Sequence, residues 1–368
     1  MELNSGHNMG YRYDVITGSE VTIVSPQSRK PMKPQARSAV KLSDVAVAAN
    51  VAPMTVSRVL NAPERVSAAT AQRVHAAIER LGYVPNMVAG GLSSRRTRMV
   101  AAIVPTMAHP MFAELVQNFT DGLRAQGYEV MLCLSGYGDV NEAALVRTVL
   151  GRRPDALLLT GATHDAATRQ MLVDAAIPIV EIFDVPRQPI DMLVGVSHAA
   201  VGEEVAAYFL AKGHVRFAAF AASDARARTR GTAFAAAARS GGGTVIAEKV
   251  IPAPSTIGAG RDALRALLPT LTGPRAERLA LFCSSDLVAF GAMVEARANG
   301  VPVPEQLSVC GFGDFELSAT SDPPFTTVSV EGGRIGRHAA AFVLDRLGGA
   351  AETHRVLVPF RIVERASS

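Results

Sequence analysis

From Met99 to the C-terminus, short apolar runs alternate with amphipathic segments of helical period, and this alternation restricts the fold more than any other feature. The apolar runs include Met99–Val104 and Leu279–Cys283, and the pattern closes with one long final strand, Val356–Val363. Strands that are apolar on both faces and joined by helices form a parallel sheet covered on both sides. Residues 99–368 are too many for a single core, so the pattern predicts two α/β lobes with a ligand site in the cleft between them.

The region before this alternation carries three short helical patterns within residues 39–84. Ser43 is placed to cap the first helix, and Pro53 suits the first turn of the second. Ser67 is placed to cap a longer third helix, which Gly82 ends. Two short helices joined by a tight turn and backed by a third predict a small all-α helix-turn-helix headpiece.

The second of these helices has one apolar face. Val56, Val59 and Leu60 follow the spacing i, i+3, i+4, which places them together on the inward side of a helix. We therefore expect these three side chains in the core and the rest of the helix facing outward.

The charge of the chain is unevenly distributed. Residues 1–98 hold 13 Lys and Arg against 6 Asp and Glu, whereas residues 99–368 hold 24 against 27. A basic N-terminal part on a mildly acidic body is typical of a nucleic-acid-binding head on a soluble sensor, although a solvated basic face gives the same balance.

Cysteine use and hydropathy indicate the compartment. The three cysteines, Cys133, Cys283 and Cys310, are an odd number, lie far apart and sit in apolar runs, as expected for reduced core thiols. No apolar run approaches the roughly 18 residues of a membrane span, and no signal-peptide pattern opens the chain. These features predict a cytoplasmic protein.

The sequence contains no pattern that indicates catalysis. It has no Gly-x-Ser-x-Gly elbow, no P-loop and no His or Cys cluster with metal-ligand spacing, so we expect neither catalytic residues nor a metal or cofactor. A solute-binding protein for carbohydrate transport is the alternative function. That class requires an export signal and has no use for a basic helix-turn-helix before its first lobe.

The segment between headpiece and body predicts a helix that is marginal without a partner. Its core, residues 87–92, contains Gly90 and Gly91, and each glycine costs roughly 1 kcal/mol relative to alanine in a helix. An exposed Leu92 followed by a basic run suits a side chain wedged into a DNA minor groove beside phosphate-binding cations. A plain flexible linker is the alternative interpretation.

Taken in order, these motifs resemble the LacI/GalR family of transcriptional regulators. The headpiece resemblance lies in the run from Leu42 to Asn61 and in Gly82-Tyr-Val-Pro-Asn86. It continues in Gly213-His214, Cys283-Ser-Ser-Asp286, Gly311-Phe-Gly-Asp314 and Pro324-Phe-Thr-Thr-Val328. Within the family, the segment from Ile190 to His198 is most similar to gluconate-type repressors.

The resemblance implies a homodimer in which each headpiece binds half of a near-palindromic operator in double-stranded DNA. The second helix would enter the major groove, and Arg58 is the strongest base reader because its fork can bond a guanine edge twice. Pro53 and Met54 replace the polar residues common in other members and offer only apolar contact. By motif, the base-facing positions are Pro53, Met54 and Arg58 with Thr55, Ser57 and Asn61 nearby; the phosphate contacts are Leu42 (through its backbone), Ser67, Thr70, Tyr83 and Asn86; the wedge is Leu92.

The resemblance also implies a small-molecule effector, a sugar or sugar acid such as gluconate, bound between the lobes. Its expected contacts are Phe112, Asp184, Arg230, Ser285 and Asp314. We expect Ser285 to contact the ligand and Asp286 to cap the following helix, although the reverse stays open. Asp314 either faces the ligand or orders its loop. The family commonly has an acid where Gly313 stands, and its loss favours an anionic ligand paired with Arg230.

The sequence therefore predicts four regions. Residues 1–38 form a disordered tail, 39–84 the headpiece, 85–98 the hinge, and 99–368 the effector-binding and dimerisation domain. Within the last region, we expect one lobe from 99–196 plus 327–355 and the other from 197–326 plus 356–368.

Overall fold

The computed structural model describes residues 40–84, 96–137, 142–271 and 278–368. The chain divides into two compact units, residues 1–85 and 86–368. The predicted tail, residues 1–38, and most of the predicted hinge, residues 85–95, lie outside the described residues.

The described part of the first unit, residues 40–84, contains three helices, α1 (Leu42–Ala49), α2 (Pro53–Asn61) and α3 (Ala68–Leu81), with a short 3₁₀ turn at Pro63–Arg65. Their inward faces form one small apolar core. Asn50 ends α1 and Gly82 ends α3, each in the left-handed conformation that closes a helix, with φ of 55° and 62°. The three helices predicted from the sequence are thereby confirmed.

The caps predicted for two of these helices are wrong in detail. α1 begins at Leu42, one residue before Ser43, because the Asp44 carboxylate accepts the backbone N–H of Lys41 at 2.8 Å. Ser67 does precede α3, but its hydroxyl donates to the hydroxyl of Thr70 at 3.0 Å instead of accepting a backbone N–H.

In its described residues, the second unit has two six-stranded sheets, each covered by helices. The first sheet has the order β11-β5-β4-β3-β1-β2 and is parallel throughout. Its strands are β1 (Met99–Val104), β2 (Glu129–Leu134), β3 (Ala156–Thr160), β4 (Ile179–Phe183), β5 (Met192–Gly195) and β11 (Arg355–Leu357). Its helices are α4 (Pro110–Arg124), α5 (Glu142–Leu150), α6 (Ala166–Asp174) and α13 (Gly332–Leu347).

The second sheet has the order β12-β10-β9-β8-β6-β7, in which only β12 is antiparallel to its neighbour. Its strands are β6 (Arg216–Ala222), β7 (Thr244–Ile251), β8 (Leu279–Cys283), β9 (Leu307–Phe312), β10 (Thr326–Val330) and β12 (Phe360–Val363). Its helices are α7 (His198–Ala211), α8 (Ala225–Ser240), α9 (Ile257–Arg265), α10 (Leu268–Leu271), α11 (Asp286–Ala298) and α12 (Glu316–Thr320). The predicted pair of parallel α/β lobes is confirmed.

The final strand predicted at Val356–Val363 is wrong: it is two strands in different sheets. Up to Val358, whose N–H donates to the carbonyl of Gly195 at 2.8 Å, the chain follows β5 in the first sheet. Pro359 has no N–H to continue the ladder, and from Phe360 the chain pairs with β10 in the second sheet.

The chain also returns from the second lobe to the first later than expected. β10 belongs to the second sheet because it pairs with β9 and β12, although residues from 327 onward were expected in the first lobe. β10 and β5 are themselves strands that the pattern does not predict, since each has five residues or fewer and is buried along its whole length.

Two helices of the second lobe meet backbone to backbone behind the cleft. A Cβ on Gly202 of α7 would lie 2.3 Å from the carbonyl oxygen of Arg230 in α8 and 2.7 Å from the amide nitrogen of Phe234. Glycine is therefore the residue that this approach permits, and it fixes the position of α8 relative to α7.

Candidate functional site

The second helix of the first unit presents an exposed face opposite a buried one. Val56 and Val59 are 0% and 2% exposed, so their predicted burial is confirmed, and Leu60 is half-buried against the same core. Pro53 and Arg58 lie exposed on the other side.

This exposed face carries both apolar and cationic chemistry. Met54 is 62% exposed, so this face presents an apolar side chain beside the cation of Arg58. No hydrogen bond or ion pair joins Arg58 to another described residue, so its guanidinium is available to an external acceptor. Thr55 and Ser57 are half-buried beside them, and the Asn61 amide donates to the Ser57 carbonyl at 3.0 Å.

The residues predicted to contact phosphates have different surroundings. Ser67 and Thr70 form a hydroxyl pair at the start of α3, and the Arg73 guanidinium lies 3.4 Å from the Thr70 hydroxyl oxygen. Leu42 is half-buried, and Tyr83 is buried in the core of the unit with 9% of the residue exposed. Asn86 and Leu92 lie outside the described residues.

In the second unit, side chains from both lobes meet between the two sheets, and two connected spaces open there. We call the one lined by Phe112 and Arg230 the inner chamber; it has a free volume of about 50 Å³. Its lining is rich in aromatic and cationic side chains and includes His109, Phe112, Tyr137, Phe183, His198, Arg226, Arg230, Ser285, Phe312 and Phe315.

Arg230 is held rigidly in the wall of this chamber. One terminal nitrogen, Nη1, lies 3.0 Å from Nδ1 of His198, and the other, Nη2, donates to the carbonyl of Ser284 at 2.9 Å. The guanidinium also lies over the Phe312 ring, 3.8 Å from its centre. Burial lowers the pKa of Arg230 to about 10, so the side chain stays cationic at neutral pH. Its Nε has no acceptor among the described residues.

His198 is the site residue that sequence reasoning missed. Burial, followed by the charges of Arg230 and Arg226, lowers its pKa to about 2, so the ring is neutral. A guanidinium can only donate, so Nδ1 is the acceptor and the ring proton lies on Nε2. Nε2 has no hydrogen-bond partner among the described residues; the nearest carboxylate oxygen, on Asp184, is 4.0 Å away. Its position just beyond the end of β5 could have indicated that it faces the cleft, but the sequence pattern did not predict β5.

Phe112 and Asp184 lie on the first-lobe side of the cleft, as predicted. Phe112 is buried and meets Phe183 edge to face with ring centres 5.4 Å apart. Phe183 ends β4 with a φ of 73°, which turns the chain so that Asp184 points to the cleft. The Asp184 carboxylate accepts the backbone N–H of Ala162 at 2.9 Å.

The roles expected for Ser285 and Asp286 are partly exchanged. Ser285 lines the inner chamber, but it is also the cap of α11, with its hydroxyl accepting the N–H of Leu287 at 3.2 Å. Asp286 is fully buried and accepts the N–H of Phe315 at 2.7 Å and the hydroxyl of Thr327. Burial raises its pKa to about 7.

Asp314 orders its loop and does not face the chamber. Its carboxylate pairs with the Arg365 guanidinium at 2.7 Å, and it stands in the left-handed region with a φ of 53°. Gly313, its neighbour, lines the inner chamber instead. Of the two alternatives for Asp314, the pair with Arg365 favours the one in which this residue orders its loop.

The described residues contain no group of three or more His, Cys, Asp or Glu arranged to hold a metal ion. Nor does any helix in the described ranges have the length and apolar character needed to cross a membrane.

Known proteins match both units. Residues 41–86 match the family "Bacterial regulatory proteins, lacI family", and residues 206–368 match the family "Periplasmic binding protein-like domain". The chain is 34% identical over 330 residues to the HTH-type transcriptional regulator GntR of Pseudomonas aeruginosa. The aligned region covers 89% of this chain and 95% of that protein.

Solved structures agree with the sequence matches. A LacI-family transcriptional regulator from Silicibacter pomeroyi superposes with a TM-score of 0.81 at 31% identity, covering 89% of this chain and 99% of that one. The lac repressor dimer bound to operator and the anti-inducer ONPF gives 0.76 at 25% identity, covering 90% and 99%. The transcriptional regulator CelR in complex with cellobiose gives 0.64 at 29% identity, covering 89% and 100%. The chain therefore belongs to the LacI family of bacterial regulatory proteins and is a DNA-binding transcriptional regulator.

Proposed function

We propose that this chain is a cytoplasmic repressor that binds a near-palindromic operator as a homodimer and releases or tightens it when a small carbohydrate or sugar acid binds between its lobes. The observation that carries this proposal is the exposed face of α2, where Pro53, Met54 and Arg58 point outward from a helix whose other face is buried. An α-helix with such a face fits the major groove.

Each exposed residue has a definite role in this proposal. Arg58 bonds a guanine edge in two places, and Met54 makes apolar contact with a thymine methyl. Ser67 and Thr70, with Arg73 beside them, place hydroxyl and cationic groups where phosphates are bound. The lac repressor dimer on its operator supports the carry-over of this arrangement to a homodimer.

The inner chamber suits a polyhydroxylated ligand. The rings of Phe112 and Phe183 provide apolar faces for the carbons of a sugar, and His198 Nε2 and Arg230 Nε are buried donors without acceptors among the described residues. Unpaired buried donors favour a ligand with several oxygen acceptors. The cellobiose complex of CelR supports a carbohydrate, and the resemblance to gluconate-type repressors supports a sugar acid.

The effector acts on DNA binding through the hinge. We assign residues 85–98 to this hinge, whose residues 85–95 lie outside the described ranges. A ligand that prefers one arrangement of the lobes changes the spacing of the two hinges in the dimer, and coupling of this kind is typically ~1–3 kcal/mol per site.

A gel shift with the DNA upstream of the protein's own gene tests the proposal. We expect a shift that weakens steeply with salt, because phosphate contacts release counterions, and that changes when gluconate or a sugar is added. Arg58→Ala serves as the control for sequence-specific binding. A solute-binding protein for transport would leave the DNA unshifted under all of these conditions.

A further inference from the structure

A second cation in the cleft, Arg226, has no assigned role. It lies on α8 beside the N-terminal cap, Asp224, and lines both the inner chamber and the space outside it. We call that second space the outer chamber; its lining includes Glu142, Gly161, His164, Asp184, Asp224, Arg226 and Arg228. Arg226 is half-buried, and no hydrogen bond or ion pair joins it to another described residue.

Each carboxylate of the outer chamber lies within hydrogen-bond distance of another described residue. Glu142 lies 2.9 Å from Nδ1 of His164; burial lowers the pKa of this imidazole, but its contacts with Glu142 and Glu181 outweigh that effect and raise the pKa to about 9. Asp224 accepts the N–H of Ala227 at 3.0 Å, and Asp184 accepts the N–H of Ala162. The acids in this part of the cleft therefore have partners while the arginine does not.

Arg230 is poorly placed to neutralise a ligand's charge. Each terminal nitrogen already makes one hydrogen bond, to Nδ1 of His198 and to the Ser284 carbonyl, and the flat face of the guanidinium is covered by Phe312. Two of its five N–H groups are therefore already bound, and with only 6% of the residue exposed there is little room for a carboxylate to approach it through two parallel hydrogen bonds. Arg226 and Arg228 both lack a hydrogen bond or ion pair to another described residue, but Arg226 is half-buried and lines both chambers, whereas Arg228 is exposed and lines only the outer one.

Gly161 makes room for Arg226 to cross the cleft. A Cβ at this position would lie 3.2 Å from Nη1 of Arg226 and 3.4 Å from Oδ2 of Asp184, and the backbone there has a φ of +101°. The guanidinium of the second lobe thus reaches the strand end of the first lobe, where it sits at the junction of the two chambers.

We propose that Arg226 binds the anionic group of the effector, a carboxylate or a phosphate monoester, while the inner chamber binds its hydroxyl groups. This inference rests on the proposed function, because it assigns the end of the ligand that Arg226 recognises. It departs from the sequence-based expectation, in which Arg230 pairs with the acid. Because Arg226 belongs to the second lobe and reaches the first, its contact with a charged ligand also makes closure of the lobes depend on the ligand's charge.

Calorimetric titration of the full chain with three six-carbon compounds tests this assignment. Gluconate carries a terminal carboxylate, sorbitol 6-phosphate a phosphate, and sorbitol neither. We expect the wild type to bind at least one acid roughly tenfold to a hundredfold more tightly than sorbitol, the range of a hydrogen-bonded charge pair. The preferred acid distinguishes a carboxylate site from a phosphate site.

Two variants then locate the charge recognition. Arg226→Gln should lower affinity for the preferred acid to about that for sorbitol and leave sorbitol binding unchanged, and Arg226→Lys should restore part of the preference. Arg228→Gln is the matched control, since it removes the same charge from an exposed residue of the same chamber and should leave the preference intact. Melting temperatures of the three variants report whether each remains folded.

The outcomes separate this inference from the proposed function. Equal loss of acid and sorbitol binding in Arg226→Gln, or loss of the preference in Arg228→Gln, overturns the inference alone. Tighter binding of sorbitol than of both acids by the wild type does the same and leaves a neutral carbohydrate effector. If none of the three compounds and no neutral sugar binds, both the inference and the effector part of the proposed function are overturned.

Discussion

Replacing Gly202 by alanine tests whether the cleft is positioned by the close approach of α7 and α8. The new methyl carbon would lie 2.3 Å from the carbonyl oxygen of Arg230, more than 1 Å inside the 3.4 Å at which ordinary contact begins. Both partners are helix backbone, so neither can rotate away and the helices must separate. Overpacking of this size costs ~1–3 kcal/mol.

The displaced helix is the one that carries Arg230 and Arg226. A shift of about 1 Å breaks the hydrogen bonds that Arg230 makes with His198 and the Ser284 carbonyl, so the effector site loses its rigid wall. Loss of one hydrogen bond to a charged group corresponds to roughly a tenfold loss of affinity. We therefore expect Gly202→Ala to unfold at lower denaturant concentration and to bind gluconate or sorbitol more weakly.

Gly258→Ala is the matched control, because this glycine lies exposed in α9 and a Cβ there would meet only the Thr256 hydroxyl oxygen, 4.0 Å away. Alanine has the higher helix propensity, so this variant should be neutral or more stable by up to ~1 kcal/mol. Urea denaturation and calorimetry compare the two variants with the wild type. If Gly202→Ala matches Gly258→Ala in both measurements, the packing argument is wrong.

Three further predictions concern DNA reading, the hinge and pH. Arg58→Ala should lower the ratio of operator to random-duplex affinity, measured by fluorescence anisotropy, by ~1–3 kcal/mol, the value of a bidentate base contact. Replacing Gly90 and Gly91 together by alanine should favour the hinge helix by up to ~2 kcal/mol, tightening operator binding and reducing the response to effector. Asp286→Asn should stabilise the protein relative to the wild type by an amount that grows as pH rises from 5 to 8, measured by denaturation at each pH.

The sign of the pH prediction follows from the raised pKa of Asp286, about 7 in the folded protein against about 3.9 for an ordinary aspartate. Between these values the folded state keeps a proton that the unfolded chain releases, so the wild type loses stability as pH rises through that window. The loss between pH 5 and 8 amounts to roughly 2–3 kcal/mol and is absent when the residue is asparagine. A stability difference between the two proteins that does not change with pH would contradict the burial argument.

The other two predictions have equally plain refutations. An unchanged ratio of specific to random binding in Arg58→Ala would remove α2 as the base-reading helix. A double glycine variant with wild-type operator affinity and a wild-type effector response would contradict the role assigned to the hinge.

Local patterns were sufficient to predict the headpiece and the class of the body. The spacing of Val56 and Val59 requires only the period of a helix, and both residues are buried as expected. Apolar strands alternating with helices likewise imply parallel sheets whatever the order of the strands. Phe112, Asp184 and Arg230 were expected from the family resemblance, and all three line the cleft.

Which residues far apart in the sequence form hydrogen bonds and ion pairs was decided only by the tertiary structure. Asp286 is hydrogen-bonded to residues 29 and 41 positions away, and Asp314 is drawn to Arg365, 51 positions along the chain. The final apolar run divides between two sheets because each half finds a different neighbouring strand. Local propensity carries no information about such contacts, which depend on which elements the two lobes bring together. For the same reason, the sequence does not distinguish the guanidinium of Arg226, which has no hydrogen bond to a described residue, from that of Arg230, which has two.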